Sequence, residues 1–329
     1  MQVKVKKTAR HRAGPYLQAA LVAVVAGTVW YTLDQQRAGL RAIFSELRRA
    51  LAGAGTLYLG LVVGLTALNW SLEARKWQVL ARRIERVPFG RALRGVLAGA
   101  SIGFVSQVNA GDFVGKIGTL HSDRRLDALG AVLLGSLVQT FVTLAFGTAA
   151  YALFLGRVPQ PLTAGPAAVL LGLLAVLGLL LGLYARRARL EPLLARWSWL
   201  RRFGRHVHVV QTYSLREVLG VTGWAVLRHL TFTVQFLLVL RLFGVTLPLR
   251  DAWTVVNLVF LAKTVVPTVH FLSDLGVREF SALYFFGFFG VPAARVASAT
   301  LALWVVNLLV PVVVGSGFAL QLTYFRSTR

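Results

Sequence analysis
The segment HFLSDLGVREF (270–280) sets Asp274, Arg278 and Glu279 within six residues, between Pro267 and the apolar run 280–291. The run before it, WTVVNLVFLAKTVV (253–266), is apolar enough to enter a bilayer and breaks at that proline. Ionisable groups at membrane depth are costly and mark binding or transport pathways. A helix broken beside them offers backbone ends to a ligand. Arg278 stands one helical turn after Asp274, close enough to pair with it. Two kinds of chemistry fit. Either the pair neutralises itself and staples the turn, or Arg278 holds a phosphate or carboxylate while Asp274 and Glu279 orient it. Lys263, about one turn before Pro267, either faces the same cavity or snorkels to a surface.

A second segment has the same composition. NAGDFVGK (109–116) carries Asn109, Asp112 and Lys116, with the acid and the base four residues apart. If both segments break inside the membrane, opposed half-helix ends aim N–H groups and cations at one place. Trp224, Arg228, Thr231 and Gln235 share one helix face in a further apolar run. Interhelical hydrogen bonding explains the threonine, and it explains Ser136 and Thr143 in the similar stripe of Ser136, Gln139 and Thr143. Arg228 is costlier than such bonding requires and joins the candidate ligands of a lipid phosphate. His229 points away from that face and reads as structural. In NWSLEARKW (69–77), Asn69, Glu73 and Lys76 share a face between two tryptophans. That pattern fits an anchor at the membrane interface with a local ion pair. The expected substrate-binding set is therefore Arg278, Asp274, Glu279, Lys263, Arg228, Asp112, Lys116 and Asn109. No HExxH, GxSxG or Walker A motif occurs, and His206 and His208 lack a third metal ligand. The reading assigns no catalytic residue, metal or cofactor, and favours binding or transport over enzymatic chemistry.

The elements that must carry these residues are membrane helices. The chain has 329 residues, 56% of them hydrophobic, with mean hydropathy +0.66. Stretches near 15–33, 54–72, 128–155, 165–184, 218–243 and 296–320 approach or exceed the roughly 20 residues that span a bilayer. No loop is long enough to hold a soluble domain. The segment 15–33 is long and lacks a small-residue cleavage site, so it reads as a retained anchor. There is no cysteine, which excludes disulfides, thiol catalysis and cysteine metal sites.

Net charge is +24, and the cations sit beside the membrane segments. Residues 73–95 hold seven Lys and Arg, 112–127 three and 185–217 eight, whereas 156–164 and 244–252 hold one each. If every apolar stretch crossed once, 112–127 and 185–217 would lie outside, against the positive-inside rule. If 96–120 and 253–290 instead dip in and return, the basic segments and both termini lie in the cytoplasm. The halves then read span, span, dip, span twice, with opposite orientation. The expectation is an all-α polytopic membrane protein of about six full spans. Two re-entrant or broken helical hairpins complete an inverted-topology repeat. It forms one transmembrane domain over 1–329, with pseudo-repeats of roughly 15–155 and 165–320 joined by basic loops. Those loops also attract anionic headgroups. Nucleic acid is not an expected partner, since no soluble module presents a basic face.

The segments NWSLEARKW (69–77), NAGDFVGKIGTL (109–120) and SDLGVREFSAL through GVPAARVASATLALWVVNLLVPVVVG (to 315) carry a family resemblance. The chain resembles the transmembrane domain of the lysylphosphatidylglycerol synthase/flippase family. GVRE (276–279) keeps that family's pattern, whereas His270 and Asp274 stand where smaller residues are usual. The resemblance implies a flippase-like protein of a bacterial or archaeal cytoplasmic membrane, acting on an anionic or phosphate-bearing lipid. The alternative is a membrane enzyme or accessory subunit in polyprenyl-phosphate sugar or phospholipid metabolism. Implied partners are membrane phospholipids or polyprenyl-phosphate lipids, with a second copy of the chain or a separate synthase as protein partner. Lysine transfer is not implied, because no soluble aminoacyl-transfer domain follows.

Overall fold
The computed structural model describes residues 45, 48, 55–106, 110–122, 125–157, 164–186, 209–266, 271–320 and 322. Every regular element among them is helical, as expected. Helix α1 is Gly55–Ala81, α2 Phe89–Ser106, α3 Ala110–Gly118, α4 Ala128–Leu155 and α5 Ala164–Ala185. Helix α6 is Leu215–Leu242, α7 Leu249–Val265, α8 Phe271–Gly287 and α9 Ala293–Ala319, the last with a π-helical turn at Val305–Leu309. Five of these, α1, α4, α5, α6 and α9, are long and apolar enough to cross a membrane. They match five of the six stretches read from the sequence, and the sixth, 15–33, lies outside the described residues.

The polar interruptions break helices for local reasons. Helix α7 stops at Val265, and Val266 is extended with ψ 116°, the backbone that a following proline imposes. The turns after α6 and α8 contain Gly244 (φ 71°) and Gly290 (φ 67°), left-handed positions that favour glycine. Pro248 and Pro292 then start α7 and α9. Ser214 caps α6 reciprocally with Glu217.

The two hairpins, α2–α3 and α7–α8, open at opposite ends of α6. Arg83, just past α1, pairs with Glu217 in the first turn of α6 at 2.6 Å. At this same end Glu85 accepts hydrogen bonds from the backbone N–H groups of His121 and Ser122, at 2.7 and 3.1 Å. That contact fixes the outer ends of α2 and α3 beside the start of α6. Beyond the other end of α6, Arg295 Nη1 donates to the Gly244 carbonyl at 2.8 Å, tying the start of α9 to the turn that leads into α7. Asp251, in the first turn of α7, pairs there with Arg157 beyond α4 at 3.1 Å. One apolar cluster, with Trp77, Leu80, Val132 and Tyr213, fills the Arg83 end. Another, with Val62, Phe236, Phe260 and Trp304, fills the Arg295 end.

Helix α1 packs on α6. The outgoing arm of each hairpin packs on the last helix of the other half, α4 on α7 and α9 on α2. Exchanging α1–α4 with α6–α9 leaves this set of pairs unchanged. Glycines allow two of the crossings. A Cβ on Gly147 would meet the Leu261 side chain at 2.7 Å, and one on Gly315 would lie 2.0 Å from the Leu97 carbonyl oxygen.

Candidate functional site
Five residues recur at helical spacing on the buried face of α1: Val62, Thr66, Asn69, Glu73 and Lys76. The last two start a charge cluster. Glu73 Oε2 meets Lys76 Nζ at 2.6 Å, and its Oε1 accepts from Lys116 Nζ at 2.8 Å. Arg228 Nε stands 3.4 Å from Glu73 Oε2, without hydrogen-bond alignment. Lys116 also donates to Asp112 Oδ2 at 2.8 Å. Lys76 donates to Gln139 Oε1 at 3.3 Å. In all, α1, α3, α4 and α6 each contribute a polar side chain to one network.

The network borders a cavity of about 500 Å³ lined by Trp70, Glu73, Lys76, Asp112, Gln139, Arg228 and Lys263, among others. Arg228 lies midway along α6, between the two apolar clusters, so the cavity sits at mid-depth in the bundle. Three cations of the network, Lys76, Lys116 and Arg228, stand against two carboxylates, Glu73 and Asp112. That leaves one positive charge in excess. Such a surplus in a low-dielectric interior acts far more strongly on an anion than it would in water. Lys263 brings a further cation to the cavity wall from the last turn of α7.

Backbone packing holds Asp112 and Lys116 in place. Gly95, Gly99 and Gly103 line one stripe of α2, four residues apart, and face Thr119, Gly115 and Gly111 of the return arm. A Cβ on Gly111 would lie 2.0 Å from Gly103 N, and one on Gly115 would lie 2.2 Å from Gly99 N. Small residues at this spacing let two membrane helices touch backbone to backbone. No side chain can rotate to relieve such a contact, so α3 has one register against α2.

Leu308, in the π-helical turn of α9, also lines the cavity. Pro311 has no N–H to give the carbonyl four residues back, which belongs to Asn307. That carbonyl instead accepts from Trp70 Nε1 at 3.1 Å. The Asn307 side chain donates to Gln235 Oε1, and Gln235 Nε2 donates to Val62 O at 2.8 Å and Thr66 Oγ1 at 2.6 Å. The α6 stripe is thus divided: Arg228 faces the cavity, and Gln235 ties three helices together. His229 is structural, paired with Asn257 at 2.7 Å and set against the ring of Phe146.

Of the residues expected from the sequence, Asp112, Arg228 and Lys263 line this cavity, and Lys116 joins it through Asp112 and Glu73. Arg278 is buried in α8 and Glu279 half-buried beside it; neither is part of the cavity lining. Asn109 and the side chain of Asp274 lie outside the described residues. Glu73 and Lys76 do form the expected local pair, but inside the bundle and not at an interface; Trp77 is 1% exposed. The signal that could have placed them was the length of the polar stripe on α1, since an interfacial anchor needs only its last turn.

The chain matches the family described as lysylphosphatidylglycerol synthase TM region over residues 18–315. No curated protein and no solved structure matches it. The match covers most of the chain, and the chain belongs to that family.

Proposed function
Given this family membership, we propose that the protein carries a lipid with an anionic phosphate headgroup across the membrane, and that the headgroup binds in the mid-depth cavity. The observation that carries the proposal is the excess cation there. Glu73 and Asp112 leave one charge of Lys76, Lys116 and Arg228 unmatched. Arg228 is the natural phosphate ligand, because its planar fork suits a tetrahedral oxyanion. Its side chain keeps 26% of its surface open. A phosphodiester brings one negative charge and matches the excess of the Glu73 network, and Lys263 stands beside it on the cavity wall.

The arrangement also supports alternating access. Hairpins that open at opposite ends, with packing pairs that survive exchange of the halves, are what an inverted repeat would produce. Both hairpins are read as re-entrant. At the Arg83 end stand Arg82, Arg83, Arg86, Arg91 and Arg94, against Arg157, Arg241, Arg250 and Arg295 at the other. Arg186 and Arg216, at the described ends of the 185–217 segment, join the first end, and this excess supports reading that end as the cytoplasmic one in a bacterial or archaeal cell.

Proteoliposomes carrying fluorescent phosphatidylglycerol test the proposal. Protein should speed the loss of inner-leaflet protection, and Arg228→Ala should lower that rate at least tenfold while the protein still folds. Equal rates for both would refute the cavity as the route. Turnover of a labelled polyprenyl phosphate without lipid movement would favour the enzyme reading instead. For topology, cysteines at Arg86 and Ser122, which flank α2–α3, should label from the same side and one at Gly156 from the other; Arg86 and Ser122 labelling from opposite sides would end the re-entrant reading of α2–α3.

A further inference from the structure
We infer that Asp112 is a built-in competitor of the lipid phosphate, a carboxylate that occupies the anion position until the headgroup displaces it and that keeps binding weak enough for release. The inference rests on the phosphate reading above and assigns one residue of that site its role.

The two carboxylates of the cluster are not equivalent. Glu73 is held by Lys76 at 2.6 Å, by Lys116 at 2.8 Å and by Arg228 at 3.4 Å, and its side chain is 10% exposed. Asp112 is held by Lys116 alone among these cations, at 2.8 Å, and its side chain is 38% exposed. It also lines the cavity. Of the two, Asp112 is the anion that a ligand can reach and that can leave.

Its departure strands nothing. Lys116 is 4% exposed and needs a counter-charge at all times. If Asp112 turns into the cavity, Lys116 keeps Glu73. A phosphate oxygen can then take the vacated position, and Lys116 again faces two anions. The exchange swaps one singly charged oxyanion for another at Lys116, so the charge that Lys116 faces returns to its resting value. A site without Asp112 would present two unmatched cations to a singly charged lipid. It would bind that lipid more tightly and release it more slowly, and transport needs release as much as capture. Placement supports the exchange too. Asp112 lies in the first turn of α3, whose backbone the glycines lock against α2. The side chain can therefore swing while the helix stays.

The experiment measures binding of two fluorescent short-chain probes, phosphatidylglycerol and phosphatidylethanolamine, to the full chain in detergent, with vesicle transport alongside. Asp112→Asn should bind phosphatidylglycerol about tenfold more tightly, the scale of one unit charge removed at close range. It should also transport that lipid several-fold more slowly at saturation. Asp112→Glu keeps the charge and should stay near wild type in both. Three outcomes overturn the inference while the phosphate reading stands. If Asp112→Asn weakens only the phosphatidylethanolamine probe, Asp112 reads the amine. If it binds phosphatidylglycerol no more tightly than wild type, there is no competition. If it fails to fold or melts well below wild type, Asp112 is a strut for Lys116. A wild-type protein that binds neither probe overturns the phosphate reading itself.

Discussion
The hairpins α2–α3 and α7–α8 are alike in topology and unlike in chemistry. Each opens at one end of α6 and breaks at mid-depth, and each carries glycine, acid and base near the break. The first hairpin is welded by glycine backbone contacts and delivers Asp112 and Lys116 to the Glu73 cluster. The second has two long arms of 17 residues each, contributes Lys263 to the cavity and keeps Arg278 out of its lining. Similar topology therefore fixes where the chain turns, not where charge is used. The partner surface decides that: the first hairpin faces the polar stripe of α1, whereas Phe285 of α8 packs on Phe154 of α4.

The largest expected effect tests the weld. Gly111→Ala puts a methyl group 2.0 Å from a backbone nitrogen and should cost more than about 4 kcal/mol, enough to leave no folded protein. Gly276→Ala in α8 meets nothing within 4 Å and should be neutral or stabilising by up to about 1 kcal/mol. Thermal unfolding of both variants checks this. Equal tolerance would mean that the first hairpin is not packed backbone to backbone.

The next effect sharpens the chemical contrast. Glu73→Gln removes the carboxylate shared by three cations and should cost about 3–5 kcal/mol. In a double-mutant cycle with Lys116→Met it should couple by about 0.5–3 kcal/mol, while Lys116→Met and Arg278→Met should add within about 0.5 kcal/mol. Strong coupling of Lys116 to Arg278 would show that the two hairpins share one site after all.

The smallest effect concerns the outer ends. Burial alone would raise the Glu85 carboxyl, but the N–H groups of His121 and Ser122, with Arg91, outweigh it and hold the group below its ordinary range. A depressed folded-state value stabilises at pH above the unfolded value of about 4.3. That contribution is lost as pH falls through the lower folded value. Between about pH 6 and pH 3, wild type should lose up to about 1 kcal/mol that Glu85→Gln lacks at every pH. The Arg157–Asp251 pair beside the second hairpin is half-exposed at its arginine, and Asp251→Asn should change stability by less than about 1 kcal/mol. Denaturant titration at several pH values separates the two.

The sequence by itself determined the class and the skeleton. Long apolar runs gave five helices long enough to span, prolines set helix boundaries, and polar residues interrupt the apolar runs at the two hairpins. Those features are local: a proline or a long apolar run acts the same in any surroundings. Only the tertiary structure decided which charges meet. Glu73 reads as an interfacial residue on α1 alone, because its partners Lys116 and Arg228 lie 43 and 155 residues away in the chain. Lys116 and Arg278 look alike in sequence, each four residues after an acid beside a break. They part because α3 packs by its glycines against α2 and turns its charges toward α1, and no such glycine contact fixes α8. Electrostatic roles inside a membrane follow the partner across the interface, and one strand of sequence does not contain it.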